Sequence, residues 1–310
     1  MGNGASLNRR NVVKLGALAT AAGLMPRLLA QGLANLDVAS AGSMKQMLDG
    51  PLKTAAAEAL KLDLRSHSQG ADAVARALVD GSLLADVFIP ITAGPMRTVM
   101  QAGKALVAEP IASTEMVITY SPKSRFLAQF KAAAKGQFSW WKVLQQPGLR
   151  FVRSDPGGDP GGRNIIFVMM LAAKKYRQAD LVAKVLGPTL NPEQIPAGGN
   201  NQARLENGEL DASGSYRSSV ASSGLPYLVL PSDINLSGLN VRRDHPEVSL
   251  NIEDKTFYPE PLVFYAAALK GALNPTGANA FLAWLKGEQA QALFRAHDFG
   301  PIEGAGELHA

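Results

Sequence analysis

The chain has 310 residues, 46% of them hydrophobic and 18% charged, a composition typical of a soluble globular protein with room for two domains. It contains no cysteine, which excludes disulfides, thiolate nucleophiles and cysteine-based metal sites. The formal net charge of +5 falls to about +1 without the first 34 residues, so we expect no nucleic-acid partner.

The first 34 residues have the layout of a cleaved export signal. Arg9 and Arg10 precede a run of apolar and small residues from Val12 to Met25, and a small-x-small pattern follows at Gly32 to Ala34. Paired arginines ahead of a weakly hydrophobic run indicate the twin-arginine route. A membrane anchor is the alternative, but Pro26 ends the run before the roughly 20 apolar residues that a span needs.

The rest of the chain alternates strands and helices, which predicts an α/β fold. The predicted strands are Leu36 to Ser40, Leu62 to Arg65, Ala85 to Ile91, Glu115 to Tyr120 and Leu225 to Leu230. The predicted helical segments are Met44 to Lys61 with a break at Pro51, Ala71 to Val79, Lys123 to Ala134, Asn164 to Tyr176 and Thr276 to Arg295. The last two strands bracket about a hundred residues, so we predict that they are hinge strands between two lobes.

Polar turns stand where strands pass into helices. They are Ala41 to Ser43, Ser66 to Gly70 and Asp155 to Arg163, with a fourth at Ile111 to Thr114 before the first hinge strand. In doubly wound sheets such turns lie together at the carboxyl ends of the strands, where ligands bind. Small hydroxyl residues and glycines suit a small oxyanion held by hydrogen bonds. For Ser43, helix capping alone is the alternative.

The segment from Arg153 to Arg163 reads R-S-D-P-G-G-D-P-G-G-R and predicts a rigid loop ahead of a helix. Its backbone N–H groups and the helix N-terminus can form an anion site, and a plain surface turn explains the motif equally well. Asp155 and Asp159 offer too few carboxylates for a calcium loop.

Enzyme motifs are weak in this chain. The four histidines, His67, His245, His297 and His309, are scattered, and the sequence contains no HExxH, GxSxG or P-loop motif. His67 is in a candidate site loop, but no acidic residue lies near it at a spacing that implies a catalytic dyad. We therefore expect a binding protein without enzymatic activity and without a cofactor. An exported enzyme that uses His67 or Asp159 is a further alternative.

Several motifs resemble the tungstate/molybdate-binding periplasmic components of ABC importers, within the type II solute-binding proteins. The motifs are A-G-S at 41–43, A-D-V-F at 85–88, A-S-T-E-M-V-I-T-Y-S-P-K-S at 112–124, the double Asp-Pro-Gly-Gly loop at 153–163, G-E-L-D at 208–211, L-P-S-D-I-N-L at 230–236, and N-P-T-G-A-N-A-F-L-A-W-L near the C-terminus. The resemblance covers nearly all of the chain after the signal.

The resemblance implies a two-lobed periplasmic-binding-protein fold of type II, in which each lobe is a mixed sheet flanked by helices and two hinge strands join the lobes. The expected limits are a signal at 1–34, lobe I at 35–117 plus 229–310, and lobe II at 118–228. The resemblance also implies a monomer that closes on one oxyanion and delivers it to an ABC permease in the inner membrane.

The family's ligand positions fall on Ser43, Ser68, Gln69, Gly70, Thr114, Asp159, Pro160 and Gly161, together with Ser215 and the adjacent Tyr216. Some members bind the metal centre of the oxyanion directly with an aspartate and a glutamate; here the aspartate matches Asp159, but the glutamate position is Ser215. Gln69-Gly70 also replaces a Gly-Ser pair, and Thr114 replaces an asparagine. We expect no bare metal cation. Arg65 and Arg163 are candidates to neutralise the ligand's charge. Sulfate, phosphate or a carboxylate is the alternative ligand.

Overall fold

The computed structural model describes Met1 and residues 32–196, 201–221 and 223–310, so residues 2–31 of the predicted export signal lie outside it. Within these ranges, no helix is long and apolar enough to cross a bilayer. The strands are β1 (Ala34–Ala41), β2 (Leu62–Gln69), β3 (Val87–Ile89), β4 (Val107–Ser113), β5 (Met116–Tyr120), β6 (Phe151–Val152), β7 (Ala212–Tyr216), β8 (Tyr227–Val229), β9 (Leu250–Ile252), β10 (Lys255–Phe257), β11 (Val263–Ala268) and β12 (Leu308–His309).

The helices alternate with these strands. They are α1 (Lys45–Asp49), α2 (Pro51–Leu60), α3 (Ala71–Asp80), α4 (Ala93–Gln101), α5 (Leu127–Ala134), α6 (Trp140–Val143), α7 (Pro160–Lys175), α8 (Leu181–Leu186), α9 (Asn201–Asn207), α10 (Arg217–Ala221), α11 (Val241–Asp244), α12 (Pro275–Leu285) and α13 (Glu288–Ala296), and a 3-10 turn at Gly42–Met44 precedes α1.

Two mixed sheets organise the fold. The first has the order β12-β4-β11-β3-β1-β2, in which β1 runs parallel to β2 and β3 while β11 is antiparallel to β3 and β4. The second has the order β6-β7-β5-β8, in which β5 is antiparallel to β7 and β8. Helices flank both sheets, which confirms the predicted fold class; β9 and β10 form a separate hairpin.

Each sheet has its own hydrophobic cores. On α3, Ala71, Val74, Ala75 and Leu78 are buried at a helical spacing, so one face packs towards the six-stranded sheet. By contrast, α7 is apolar and buried on nearly all sides, and it packs with residues of β5, β7 and β8. The two helices therefore belong to opposite sides of the molecule.

The chain passes between the two sheets through two connections, which lie side by side. The chain passes from β4 to β5 through Thr114 and Glu115, and it enters β11 after Leu262, which packs in the core around α7. The Thr114 N–H donates to the Leu262 carbonyl at 2.9 Å. The predicted hinge strands correspond to β5 and β8, which pair with each other inside the four-stranded sheet. The predicted lobe limits, including the return at 229, stay a prediction.

Several predicted element bounds were wrong. The polar run Ser66 to Gln69 belongs to β2 because it continues the parallel ladder with β1. Ile111 to Ser113 belong to β4 and are not a turn. The helix expected over Asn164 to Tyr176 begins earlier, at Pro160. The single helix expected over Thr276 to Arg295 is two, α12 and α13, which are interrupted at Lys286 and Gly287.

Asp211 anchors the entry to β7. It is fully buried, and its carboxylate accepts hydrogen bonds from the Ser124 hydroxyl at 2.7 Å, the Arg150 N–H at 2.9 Å and the Arg150 Nε at 2.8 Å. Burial disfavours the charged carboxylate, but the hydrogen bonds from Arg150 and Ser124 outweigh it and lower the pKa of Asp211.

We expect Asp211→Asn to lower the free energy of unfolding by about 2 kcal/mol at pH 7, because it weakens hydrogen bonds to a charged group. Because the folded-state pKa is lowered, this stabilisation is present above the unfolded pKa of about 3.9 and is lost as the pH falls through the folded value. Urea denaturation at several pH values measures both effects. Asp233→Asn, whose exposed carboxylate pairs with Lys175, is the control; equal losses in the two variants would contradict the prediction.

Candidate functional site

Three of the predicted ligand segments meet where β1 and β2 end. A Cβ on Gly42 would lie 3.6 Å from the Gln69 carbonyl oxygen, so the 3-10 turn and the end of β2 are in contact. A Cβ on Gly70 would lie 2.7 Å from the Gly158 carbonyl oxygen and 3.2 Å from the Asp159 Cβ. Glycine is therefore required at position 70 for the turn after β2 to approach the double Asp-Pro-Gly-Gly loop this closely.

Asp159 is the N-cap of α7, and its Oδ1 accepts from the Gly161 N–H at 2.9 Å. Pro160 follows at the first helical position, where its missing N–H costs no hydrogen bond. Burial raises the pKa of Asp159, and the hydrogen bond from Gly161 opposes this only in part. No basic side chain of the described residues lies within ion-pair distance of the Asp159 carboxyl group.

Several hydroxyl groups at the site do not donate their proton to an acceptor among the described residues. The Ser43 Oγ and the Ser218 Oγ are buried, and neither has a hydrogen-bond partner among the described residues. The Thr114 Oγ1 accepts from the Ser218 N–H at 3.2 Å, which leaves the threonine proton free to donate. The helix α10, which carries Ser218, contacts the turn that carries Ser43.

Tyr216 connects these hydroxyls to the start of α7. Its OH accepts from the Asn164 Nδ2 at 3.0 Å and lies 3.4 Å from the position of a Cβ on Gly161. The ring packs against the cores of both sheets. Burial, followed by the nearby charge of Asp159, raises the pKa of Tyr216 well above its usual range, so its OH remains a donor.

Ser68, Gln69 and Ser215 differ from the rest of the predicted set. The Ser68 Oγ is 2.7 Å from the Ser40 Oγ, and Gln69 is exposed at the end of β2. Ser215 pairs with Val117, whereas Tyr216 pairs with Met116, and the side chains of these two pairs point to opposite faces of the sheet. Ser215 is therefore on the face of β7 that points away from α7, the helix that Asp159 caps.

Two arginines near the loop, Arg153 and Arg163, are already engaged. Arg153 is 1% exposed, and its Nη2 donates to the Pro188 and Thr189 carbonyls at 2.9 and 2.8 Å, so it anchors a neighbouring loop. Arg163 forms an ion pair with Asp72 at 2.5 Å. Arg65 lies on the surface, 3.7 Å from Asp63, and not at the site.

Sequence reasoning missed Ser218 and Asn164. Ser218 follows β7 in a serine-rich run that no pattern distinguishes, and Asn164 was assigned only to a helix start. It also missed an acidic partner for His67, whose Nε2 lies 2.9 Å from the Asp37 Oδ1 although the residues are 30 positions apart. This pair lies across β1 and β2 with the imidazole 42% exposed.

A cavity of about 670 Å³ opens beside the site. Its walls come from α3, α4, the start of α7 and the β9–β10 hairpin, and its charged lining includes Asp72, Arg76, Arg163, Arg242 and Glu260. Burial raises the pKa of Glu260, whose Oε2 accepts from the Gly94 N–H at 3.2 Å. The described residues contain no cluster of three or more histidine, aspartate or glutamate side chains able to hold a metal ion.

Comparison with known proteins identifies similar chains. A family model described as bacterial extracellular solute-binding protein matches residues 36–300. An uncharacterized solute-binding protein of Petrotoga mobilis is 30% identical over 203 residues, which are 62% of this chain and 61% of that protein. The molybdate/tungstate-binding protein WtpA of Pyrococcus abyssi is 29% identical over 205 residues, 59% of each chain. The chain thus spans about three fifths of the length of these two relatives.

A solved structure shows the same fold. The periplasmic molybdate-binding protein of Azotobacter vinelandii aligns with a TM-score of 0.61 and 18% identity, covering 86% of this chain and 99% of that one.

Gly162 provides a test of how the double Asp-Pro-Gly-Gly loop is built. A Cβ at this position would lie 2.3 Å from the Ser154 carbonyl oxygen and 2.7 Å from the Pro156 nitrogen, both backbone atoms. We expect Gly162→Ala to lower the free energy of unfolding by about 2 kcal/mol, since overpacking must displace the loop. Gly158→Ala is the matched control, because its nearest neighbour would be 3.9 Å away. Urea denaturation measures both; a neutral Gly162→Ala would contradict this packing.

Proposed function

Because this chain belongs to the family of bacterial extracellular solute-binding proteins, we propose that it captures a tetrahedral oxyanion, tungstate or molybdate first, in the cleft around Asp159. The observation that carries this proposal is the group of hydroxyls with uncommitted protons on Ser43, Thr114, Ser218 and Tyr216. A fully deprotonated oxyanion can only accept hydrogen bonds, so a lining of donors matches it.

The proposed ligand is bound by closure of two lobes, each built on one sheet. Small anions are held best in a site from which water is excluded, because hydrogen bonds to charge are stronger there. The close approach of Gly70 to Gly158 and Asp159 supports a closed arrangement of the two sides. We keep the predicted lobe limits 35–117 plus 229–310 and 118–228 as part of this proposal, except that residues 230–262 are grouped with the four-stranded sheet, because Leu230, Leu250 and Leu262 pack in the core around α7.

The proposed cellular role is that of the periplasmic component of an ABC importer. The name of the family model supports a location outside the cytoplasm, and the WtpA relative supports the choice of molybdate or tungstate. We propose export by the twin-arginine route, cleavage of the signal, action as a monomer without a cofactor or enzymatic activity, and delivery of the anion to a permease in the inner membrane.

We propose four-coordinate binding, without a bond from protein to the metal centre. Two carboxylates would be needed to make a tetrahedral anion six-coordinate, and Ser215 offers none and lies on the opposite face of β7 from Tyr216. A single charged carboxylate beside a dianion would be repulsive, and burial raises the pKa of Asp159, which makes protonation of this carboxyl group on anion binding less costly.

A thermal-shift panel of tungstate, molybdate, sulfate, phosphate and citrate tests the ligand class. At about 1,000 times the dissociation constant, mass action stabilises the protein by about 4 kcal/mol, which corresponds to about 8 °C in Tm. We expect this shift with tungstate and molybdate. A shift with sulfate, phosphate or citrate alone would favour the alternative ligand class, and no shift with any anion would refute oxyanion capture.

Variants of Asp159 distinguish four-coordinate from six-coordinate binding of the anion. We expect Asp159→Asn to bind tungstate as tightly as the wild type, since the amide can still cap α7 without adding charge. Asp159→Ala should bind about tenfold more weakly because the cap of the binding loop is lost. Isothermal titration calorimetry measures both affinities. A loss of more than about 100-fold in Asp159→Asn would show instead that the carboxylate bonds directly to the metal.

A further inference from the structure

The Arg163 side chain connects four segments of the chain. Its Nη2 donates to the Asp72 Oδ2 at 2.5 Å, its Nη1 donates to the Pro156 carbonyl at 2.8 Å, and its guanidinium carbon lies 4.1 Å from the centre of the Phe257 ring. Only 7% of the side chain is exposed, and 18% of the Asp72 side chain. This ion pair is therefore largely removed from water. Charge interactions in such a buried environment are stronger, and less screened by salt, than in water.

The ion pair crosses from one side of the molecule to the other. Asp72 is in the first turn of α3, which packs towards the six-stranded sheet. Arg163 is in the first turn of α7, which packs in the core of the four-stranded sheet. If the two sides separate to release a ligand, this pair must break.

The pair lies directly beside the proposed anion site without being part of it. Asp72 is two residues after Gly70, and Arg163 is two residues after Gly161. Gly70 and the Gly158–Asp159 backbone make the close contact between the two sides. A change at Asp72 therefore acts on closure and leaves the hydroxyls of the anion site in place.

We propose that Asp72 and Arg163 are positioning residues that form a closure latch and slow the release of the bound anion. This inference rests on the proposed capture of an oxyanion between the two sides. The latch is a contact between the two sides of the molecule. It slows release of the anion although neither Asp72 nor Arg163 touches the anion.

Both partners keep other favourable interactions when the latch opens. Asp72 remains at the N-terminus of α3, where the helix dipole favours a negative charge. Arg163 retains the Pro156 carbonyl and the face of Phe257, which belong to its own side. Neither residue is left as an isolated buried charge, so the latch can break and reform at moderate cost.

Other charged groups near the latch bear on how variants are interpreted. The carboxyl groups of Asp159 and Glu260 also interact electrostatically with Arg163. In Asp72→Asn they can take over part of its charge, but Asp159 belongs to the same side as Arg163 and cannot hold the two sides together. Arg163→Gln removes the cation itself, so no remaining carboxylate can replace Asp72 as its partner.

The first experiment measures dissociation of radiolabelled tungstate, or of the panel anion that the wild type binds, by rapid filtration after dilution into unlabelled anion. We expect the dissociation rate of Asp72→Asn to rise about 10- to 100-fold while the association rate changes by less than about threefold. Asp72→Asn should have no further effect in the Arg163→Gln background, because the two residues act as one pair. Asp233→Asn, which frees Lys175 at the other end of α7, is the matched control and should dissociate like the wild type.

A second measurement does not need the anion. Because the chain has no cysteine, Glu58→Cys on α2 and Lys131→Cys on α5 introduce two unique spin-label sites, both exposed and on opposite sides. Pulsed electron paramagnetic resonance then gives the distance between the sides. We expect a smaller closed population in Asp72→Asn than in the wild type or Asp233→Asn.

The outcomes separate this inference from the proposed function. If the wild type binds none of the anions, the proposed function fails and the distance distributions alone decide the latch. If the wild type binds an anion but Asp72→Asn has an unchanged dissociation rate and distance distribution, the latch is overturned while anion capture stands. A dissociation rate that rises equally in Asp233→Asn also overturns it.

Discussion

The start of α7 depends on the close packing of Gly162 against the backbone of Ser154 to Pro156. No side chain fits between them, so the double Asp-Pro-Gly-Gly loop folds back directly onto the helix that it begins. Asp159 caps that helix from within the same loop. This single contact sets the directions in which Arg163 and Asn164 leave the helix, one towards Asp72 and the other towards Tyr216. The double Asp-Pro-Gly-Gly loop, the proposed latch and Tyr216 are thus positioned together.

The proposed anion site offers hydroxyl groups where many anion sites use cations. Arg163 is neutralised by Asp72, and Arg153 is buried and donates to backbone carbonyls, so these two arginines have little charge to offer a ligand. Uncharged donors can be buried at lower cost than unpaired charges, provided that a ligand completes their hydrogen bonds. The unpartnered hydroxyls of Ser43 and Ser218 are therefore expected in a site that awaits an acceptor.

The family and the fold class could be predicted because their signals are local. The motif resemblance agrees with the matched family model, and β1, β5 and α3 carry clear apolar patterns. The features that were predicted wrongly or missed depend on hydrogen-bond partners that are distant in the sequence. The polar end of β2 is a strand only because β1 provides its hydrogen bonds, as the pairing of Ala41 with Gln69 shows. Likewise, Ser218 becomes part of the site only because its N–H reaches Thr114, 104 positions away.

The position of Ser215 on β7 opposes six-coordinate binding more strongly than the lack of a carboxylate on its side chain does. Along a strand, successive side chains point to opposite faces, so Ser215 and Tyr216 cannot both face α7. Tyr216 does, since its OH meets Asn164, and Gly214 lies against Ile165 on the same face. A carboxylate at position 215 would therefore project towards Val117 and the core on the far side of the sheet. Six-coordinate binding would require a rearrangement at the end of β7 as well as a second carboxylate, whereas a hydrogen-bonded tetrahedral anion requires neither.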